Sequence, residues 1–367
     1  MIGSIRFTTV VVALIAFTAC GSQTAARGTL SSSPTPTAIT SPPPTAQAAA
    51  ALQPVGVAFW NDTSGLLVES VDTSACATDV GTCRSVIERT ADGGRTWELV
   101  ERAPGSLNAV EVAGTDVAWA TGPFCYLGSC TGATTILVTS DGGQSWRETT
   151  PDAPVTSVSP VSATSAWAVG LNNTAPAGNT LLQSGDGGHI WHAQADPCQM
   201  VGGGALDLWA VKFSGPTQGA AICTSGPATD MQGKAVLVTS DGGSTWYLRS
   251  ATCLFGQPEN VGTLSCVGYL PGVQLLADGH GWLWSAREGL ASTDDGGRIW
   301  TQIAVNYVYD DINEVASASF VDDRDGFMLV TPRPESNAAC PADGCGPQLL
   351  STHNAGQSWM AVQTWGP

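Results

Sequence analysis

The sequence predicts an all-β protein built from six similar four-stranded antiparallel sheets. An eight-residue pattern, Ser/Thr-x-Asp-Gly-Gly-x-x-Trp, occurs five times, and a sixth copy near the C-terminus has Asn-Ala-Gly at its centre. Short apolar runs separated by turn residues precede most copies. The chain has 43 glycines and only 12% charged residues, a composition typical of short strands and tight turns rather than of helix bundles.

Each repeat has the length and strand content of one propeller blade. A unit reads as strand, short turn, strand, loop, strand, Asp-Gly-Gly turn and strand, and the Trp residues that end the pattern lie 45 to 59 residues apart. Four strands in about fifty residues match a β-propeller blade. We therefore expect a β-propeller of about six blades, with a seventh blade that lacks the pattern as the alternative.

The Asp-Gly-Gly turns are interpreted as structural rather than catalytic. An Asp at a tight turn accepts backbone N–H bonds, Gly supplies a positive φ, and Trp covers apolar area between sheets. Six equal copies around a ring cannot form one active site. The residues given this structural role are Asp92, Asp141, Asp186, Asp241, Asp295 and Asn354, together with Trp97, Trp146, Trp191, Trp246, Trp300 and Trp359.

The pattern resembles the Asp-box, or BNR, repeat, whose form is Ser/Thr-x-Asp-x-Gly-x-Thr/Ser-Trp. Proteins that carry this repeat are β-propellers: bacterial sialidases, xyloglucan-cleaving glycosidases, sortilin-type receptors and the photosystem II stability/assembly factors. The resemblance covers nearly everything after residue 51. Ile190 and Ile299 replace the Thr/Ser of the repeat, and Asn354 and Ala355 replace an Asp and a Gly. We expect these three boxes to be less well tied than the others.

The first fifty residues predict export and a membrane anchor. Arg6 precedes the apolar stretch 7–17, which is too short to span a bilayer as a mature helix, and Thr18-Ala19-Cys20-Gly21 follows. This arrangement resembles the lipobox of bacterial lipoproteins, with Phe17 in place of the usual Leu; an ordinary secretory signal is the alternative. We expect a lipoprotein signal peptide at 1–19, lipidation of Cys20 and extracytoplasmic attachment to the cell membrane. Residues 20–50 are rich in Ser, Thr, Pro and Ala, which predicts a disordered tether to a propeller at 51–367.

The cysteines support an oxidising compartment. Of the 11 cysteines, ten remain without Cys20, and their short spacings suit loop-closing disulfides. The expected pairs are Cys76 with Cys83, Cys125 with Cys130, Cys253 with Cys266 and Cys340 with Cys345, which leaves Cys198 with Cys223 as the least certain. Zinc fits poorly because there is no Cys-x-x-Cys and the four His residues do not cluster with Cys. We expect no metal and no cofactor.

The binding site is predicted on the face with the longer connections. In a four-stranded meander, the turns 1–2 and 3–4 share one face, and the connections 2–3 and 4–1 lie on the other. The paired cysteines and the insertions 194–206, 251–268 and 305–313 fall in or next to the second group. Loops of varied length on a rigid scaffold usually carry binding; simple packing of loop on loop is the alternative. The candidate binding residues there are Phe124, Tyr126, Tyr307, Tyr309, Asp310 and Asp311.

A non-catalytic binding or scaffold module for a protein or glycan is the function that the sequence favours. The net charge of −17 argues against nucleic-acid binding, which needs a basic surface, and we expect membrane contact only through the lipid. We also expect a monomer. A second alternative, which follows from the resemblance alone, is an assembly factor for a membrane complex similar to the photosystem II factors.

The main alternative is a glycoside hydrolase of the sialidase type. The Arg-Ile-Pro motif of sialidases is absent, and the Arg residues show no sign of converging. Other glycosidases need two carboxylates about 5–10 Å apart. The sequence leaves such a pair open, with Glu69, Glu111, Glu288 and Glu314 as candidates.

Overall fold

The computed structural model describes residues 51–71, 84–122, 134–171, 178–201, 206–226, 231–252, 261–287, 289–305, 313–332 and 346–366. Within these ranges the chain forms 25 β-strands and a short 3-10 helix, Pro197–Met200. Among the described residues there is no helix long and apolar enough to cross a membrane.

Consecutive strands pair antiparallel into six sheets, and each sheet is one blade of a β-propeller. Blade 1 is β1–β4 (Leu52–Phe59, Gly65–Val71, Arg84–Thr90, Glu98–Pro104), blade 2 is β5–β8 (Ala109–Ala113, Val117–Gly122, Thr135–Thr139, Arg147–Thr149), blade 3 is β9–β12 (Val155–Pro160, Ala166–Gly170, Thr180–Ser184, His192–Ala193), blade 4 is β13–β17 (Asp207–Phe213, Gly219–Thr224, Lys234–Thr239, Tyr247–Thr252, Gly262–Leu264), blade 5 is β18–β21 (Tyr269–Leu275, Gly281–Ala286, Gly289–Thr293, Thr301–Ile303) and blade 6 is β22–β25 (Asn313–Phe320, Gly326–Pro332, Gln348–Thr352, Met360–Thr364). The predicted all-β propeller of six blades is confirmed.

The ring closes between blade 6 and blade 1. The first strands of successive blades, β1, β5, β9, β13, β18 and β22, contact one another in turn, and β1 also contacts β22. At this closure, the backbone N–H of Phe59 donates to Ser319 Oγ at 3.0 Å. Because the first and last blades touch directly, a seventh blade has no place between them, and that alternative is wrong.

The hydrophobic core lies in the seams, by which we mean the contacts between consecutive blades. At three seams, an aromatic residue that ends an inner strand stacks on an aromatic residue of strand 2 in the preceding blade. The ring centroids are 3.5 Å apart for Phe59 and Phe327, 4.6 Å for Phe213 and Trp167, and 3.7 Å for Phe320 and Trp282. Box tryptophans pack edge-on against these rings, as Trp97 does against Phe59 at 6.2 Å. Interlocked aromatic side chains of this size supply much of the apolar area that holds one blade to the next.

Blade 4 carries an additional strand that the sequence did not predict. β17 pairs in parallel with the outer strand β16, so the connection from blade 4 to blade 5 covers what would otherwise be an open sheet edge.

Two of the expected disulfide cysteines belong to a bond that the structure shows. Cys198, in the 3-10 helix, is bonded to Cys223 of β14, with their Cα atoms 5.6 Å apart. Cys266, which follows β17, is also disulfide-bonded. The remaining cysteines lie outside the described residues, and their pairing stays a prediction: Cys76, Cys83, Cys125, Cys130, Cys253, Cys340 and Cys345.

Candidate functional site

The complete Asp boxes tie their turns with one set of hydrogen bonds. In blade 1, Asp92 Oδ1 accepts the hydroxyl of Thr90 (2.8 Å) and the backbone N–H of Thr96 (2.9 Å), and Asp92 Oδ2 accepts the hydroxyl of Thr96 (2.7 Å). Blades 2 and 4 repeat these bonds around Asp141 and Asp241. Both oxygens of each carboxylate therefore have partners inside their own turn.

These bonds stabilise the ionised form of the box carboxylates. The hydroxyl and the backbone N–H of Thr96 lower the pKa of Asp92 to about 2. The corresponding groups of Ser145 lower the pKa of Asp141 to about 2. A carboxylate that stays ionised and bonded within its turn is a poor general acid, so the geometry favours a structural role.

Three boxes depart from this pattern. Ile190 in blade 3 has no hydroxyl to donate to Asp186. Asp186 Oδ1 still accepts the Ser184 hydroxyl (2.9 Å) and the Ile190 N–H (3.1 Å). Ile299 in blade 5 also lacks a hydroxyl, and there Asp295 Oδ1 accepts the Thr293 hydroxyl and the Ile299 N–H. In blade 6, Asn354 Oδ1 accepts the Ser358 N–H (2.9 Å), while Asn354 Nδ2 donates to the Ser358 hydroxyl (2.9 Å). The turn is kept in each case, but two boxes lose the hydroxyl donor and the third loses the charge.

A backbone hydrogen bond joins each box to the turn between strands 1 and 2 of its own blade. In blade 1 the Gly93 N–H donates to the Thr63 carbonyl at 2.8 Å. The equivalent pairs are Gly142 with Asp116, Gly187 with Thr164, Gly242 with Thr217, Gly296 with Gly279 and Ala355 with Arg324. The boxes and the 1–2 turns therefore lie on one face of the ring, which we call the box face.

A central hollow of about 400 Å³ opens at the box-face end of the inner strands. All six blades line it, through residues such as Phe59, Ala113, Pro160, Phe213 and Leu275, and through Phe320 of blade 6. Lys212 is the charged residue of this lining, and its ammonium group is paired with the carboxylate of Glu111. Since Glu111 belongs to blade 2 and Lys212 to blade 4, this ion pair links two blades that are not neighbours in the ring.

A second hollow, of about 520 Å³, lies in the seam between blades 4 and 5 on the same face. Ser214, Leu275 and Leu276 line both hollows, so the two adjoin. We call the second hollow the seam groove. Its lining comprises Ser214, Gln218, Gly219, Val238, Thr239, Ser240, Tyr247, Leu248, Arg249, Leu275, Leu276, Ala277, Gly279 and Gly296.

Smaller, aliphatic side chains occupy the aromatic positions of this seam. The second residue of strand 2 is Phe327, Trp167 or Trp282 at the stacked seams, and it is Ala220 in blade 4. The inner strand of blade 5 ends in Leu275 where blades 1, 4 and 6 have Phe.

Other seams that lack a stacked pair are filled by a different side chain. At the seam between blades 1 and 2, Trp60 Nε1 donates to the Val117 carbonyl at 2.9 Å. At the seam between blades 2 and 3, Arg147 Nη2 donates to the Gly187 carbonyl at 3.3 Å. The residue equivalent to Arg147 in blade 4, one position after the box tryptophan, is Tyr247.

Tyr247 and Arg249 are the functional candidates that the sequence reasoning missed. Tyr247 is 58% exposed at the rim of the groove. Arg249 Nε is shielded from solvent and has no hydrogen-bond partner within the described residues. Both follow the box residue Trp246 on β16, but the sequence does not show that their side chains meet blade 5.

The candidate carboxylates do not converge on either hollow. Glu111 is paired with Lys212. Glu69 lies on β2 and its neighbour Glu88 on β3. The pKa of Glu69 is raised, mainly by burial and to a smaller extent by the negative charge of Glu88. Glu288 lies outside the described residues, and Glu314 is on β22.

One group of side chains in the described ranges has the composition of a metal site. Ligand atoms of Asp278, His280 and Asp323 lie within 4.8 Å of one another, and His280 Nδ1 is 3.3 Å from Asp278 Oδ2. These groups are on the 1–2 turns of blades 5 and 6, and both acids are exposed. Their donors suit a divalent cation, but solvent-exposed carboxylates often come together without one.

The predicted binding residues lie outside the described residues. They are Phe124, Tyr126, Tyr307, Tyr309, Asp310 and Asp311. That these residues form a binding surface stays a prediction. The lipidation of Cys20 also stays a prediction.

Comparison with known proteins shows similarity at the level of fold. The sequence matches no protein-family model and no curated protein. A protein of unknown function from Dyadobacter fermentans aligns over 82% of this chain and 94% of its own, at 14% identity and a TM-score of 0.52. The six-bladed fucose-recognising lectin of Aleuria aurantia aligns over 86% and 96%, at 10% identity and a TM-score of 0.50. YCF48 from Cyanidioschyzon merolae aligns over 87% and 86%, at 17% identity and a TM-score of 0.42.

Proposed function

We propose that this chain is a lipid-anchored, extracytoplasmic propeller that binds a protein or glycan partner without transforming it. The observation that carries the proposal is the recess formed by the central hollow and the adjoining seam groove. It lies on the box face, opposite the face on which the sequence predicted the binding residues. A concave site with an apolar floor and a few convergent polar groups, set in a rigid ring, is the usual form of a binding site.

The composition of the recess supports binding over hydrolysis. Among the residues that the structure describes, its lining has two basic residues, Lys212 and Arg249, and neither Asp nor Glu. A glycosidase of the common type needs an acid and a second carboxylate on opposite sides of the scissile bond. The box carboxylates are bonded within their turns, so they do not supply this pair.

The extracytoplasmic location rests on the leader and the cysteines. An apolar leader that ends at Cys20, a Pro-rich tether and the bond between Cys198 and Cys223 are what an exported, anchored domain requires.

Crosslinking on intact cells tests the proposed function. The full chain with a C-terminal tag is crosslinked in place, purified under denaturing conditions and examined by mass spectrometry for attached protein or glycan. We expect a reproducible partner on the wild-type chain and a weaker signal from Cys20→Ala, which loses the anchor. The purified chain is also incubated with a panel of glycosides and sialosides. Release of product would contradict the non-catalytic assignment, and the absence of any partner would contradict the binding assignment.

A further inference from the structure

We propose that the seam groove binds an extended peptide segment that carries a carboxylate, and that Arg249 binds this carboxylate. The inference rests on the proposed function and adds the site and the chemical class of the partner.

Charge is the first argument. Arg249 is the charged residue in a lining that otherwise contains hydroxyl, amide and apolar groups. Its Nε is shielded from solvent and has no partner in the described part of the chain. A buried donor without an acceptor costs stability, and a guanidinium pairs best with a carboxylate, through two parallel N–H···O bonds. The Nε atoms of Arg89 and Arg287 are also shielded and make no hydrogen bond within the described residues, but Arg249 is the one of the three arginines that lines the groove. In a chain with a net charge of −17, a guanidinium in the wall of a recess favours an acidic ligand.

Shape is the second argument. Val238, Leu248, Leu275 and Leu276 give the groove an aliphatic lining. The groove adjoins the central hollow at Ser214, Leu275 and Leu276. Aliphatic walls suit the apolar side chains of an extended peptide. Tyr247 at the rim adds a rigid aromatic surface, which is a common anchor in peptide recognition.

The chain contains its own control for the role of the guanidinium. Arg147 lies one position after the box tryptophan of blade 2, on β8, and its guanidinium is already bound. Nη1 donates to Thr149 Oγ1 at 2.6 Å and Nη2 donates to the Gly187 carbonyl at 3.3 Å. Arg147 is thus an arginine of the box face that closes its seam, whereas Arg249 lines a seam that is open.

A peptide selection tests the inference. Random octapeptides displayed on phage are selected on the full wild-type chain alone, and the selected peptides are synthesised and measured by fluorescence anisotropy. We expect enrichment of Asp, Glu or a free α-carboxylate beside aliphatic residues. Arg249→Met should weaken binding about tenfold or more, as expected for a lost charged hydrogen-bond pair, and Arg147→Met should leave it unchanged. Gln in place of the peptide Glu should weaken binding to the wild type and have no further effect on Arg249→Met.

Arg249→Lys is the control for a folding defect. It keeps the positive charge but loses the two parallel N–H donors of the guanidinium. We expect intermediate affinity at an unchanged melting temperature. Three results would overturn the inference: no peptide enriched on the wild type, selected peptides that bind independently of Arg249, or Arg249-dependent binding of a hexuronate oligosaccharide but of no peptide. If the partner found by crosslinking binds Arg249→Met as well as the wild type, the groove assignment fails while the binding function stands.

Discussion

Phe59 and Phe327 stack face to face, with ring centroids 3.5 Å apart and an interplanar angle of 9°. The first residue ends the inner strand of blade 1, and the second lies in strand 2 of blade 6, so this pair closes the ring. Two further seams repeat the arrangement with Phe213 on Trp167 and Phe320 on Trp282. The seam between blades 4 and 5 lacks it, and the groove lies there.

The closing stack is expected to be a major source of stability. Phe327 is 2% exposed, so Phe327→Ala leaves a cavity against Phe59 and should lower the free energy of unfolding by about 3–5 kcal/mol. Leu99→Ala, at a residue that is 39% exposed, is the control and should have a small effect. Denaturant unfolding followed by tryptophan fluorescence measures both. Equal losses in the two variants would show that the stack does not hold the ring closed.

The disulfide between Cys198 and Cys223 joins residues 25 positions apart. Replacing both with Ala should lower the free energy of unfolding by about 3 kcal/mol in the loop-entropy model. The double variant is compared with the wild type by urea unfolding without a reductant. Since other cysteines are present, the unfolding of both proteins is repeated with a reductant. A variant as stable as the oxidised wild type would contradict the prediction.

The Asp boxes are expected to make the fold sensitive to strong acid. The pKa values of Asp92 and Asp141 are lowered to about 2, so these carboxylates stabilise the folded state above their ordinary pKa. That contribution is lost as the pH falls from about 4 to about 2. Asp141→Asn copies the natural Asn354 box and should fold, with a smaller loss of stability over this range than the wild type. Thermal unfolding at a series of pH values measures it, and identical pH profiles would contradict the prediction.

Glu69 is expected to have the opposite pH dependence. Burial raises its pKa, and the neighbouring charge of Glu88 adds to the effect. A carboxyl group whose folded pKa is raised favours the folded state when protonated, so its cost appears as the pH rises through the raised pKa. Glu69→Gln should therefore raise the melting temperature at pH 7 by a few degrees and have no such effect at pH 4. Glu148→Gln, at an exposed position of β8, is the control. A lower melting temperature at pH 7 would show that the Glu69 carboxylate has a favourable partner.

The number of blades and their strand order could be predicted from the sequence because both depend on hydrogen bonds between residues of a single turn. Thr90, Asp92 and Thr96 bond one another within seven residues. The box recurs at the same spacing in every blade, with Ile190, Ile299 and Asn354 as its departures. A turn of this kind fixes where strands 3 and 4 lie, whatever the rest of the chain does. The aromatic residues of the cores were visible for the same reason, as parts of short apolar runs that follow a turn.

Only the tertiary structure decided which residues of different blades meet. Ala220 and Leu275 lie in the seam beside the groove, where three other seams have stacked aromatic rings, and Lys212 reaches Glu111 of a blade that is not its neighbour. The parallel strand β17 and the placing of Arg249 beside blade 5 likewise depend on how whole sheets pack. Side-chain volume at a seam is a property of two sequence-distant positions together, and neither position alone carries a pattern that reveals it. The repeat therefore determined the ring, while the packing of unequal side chains between similar blades determined where the ring has hollows.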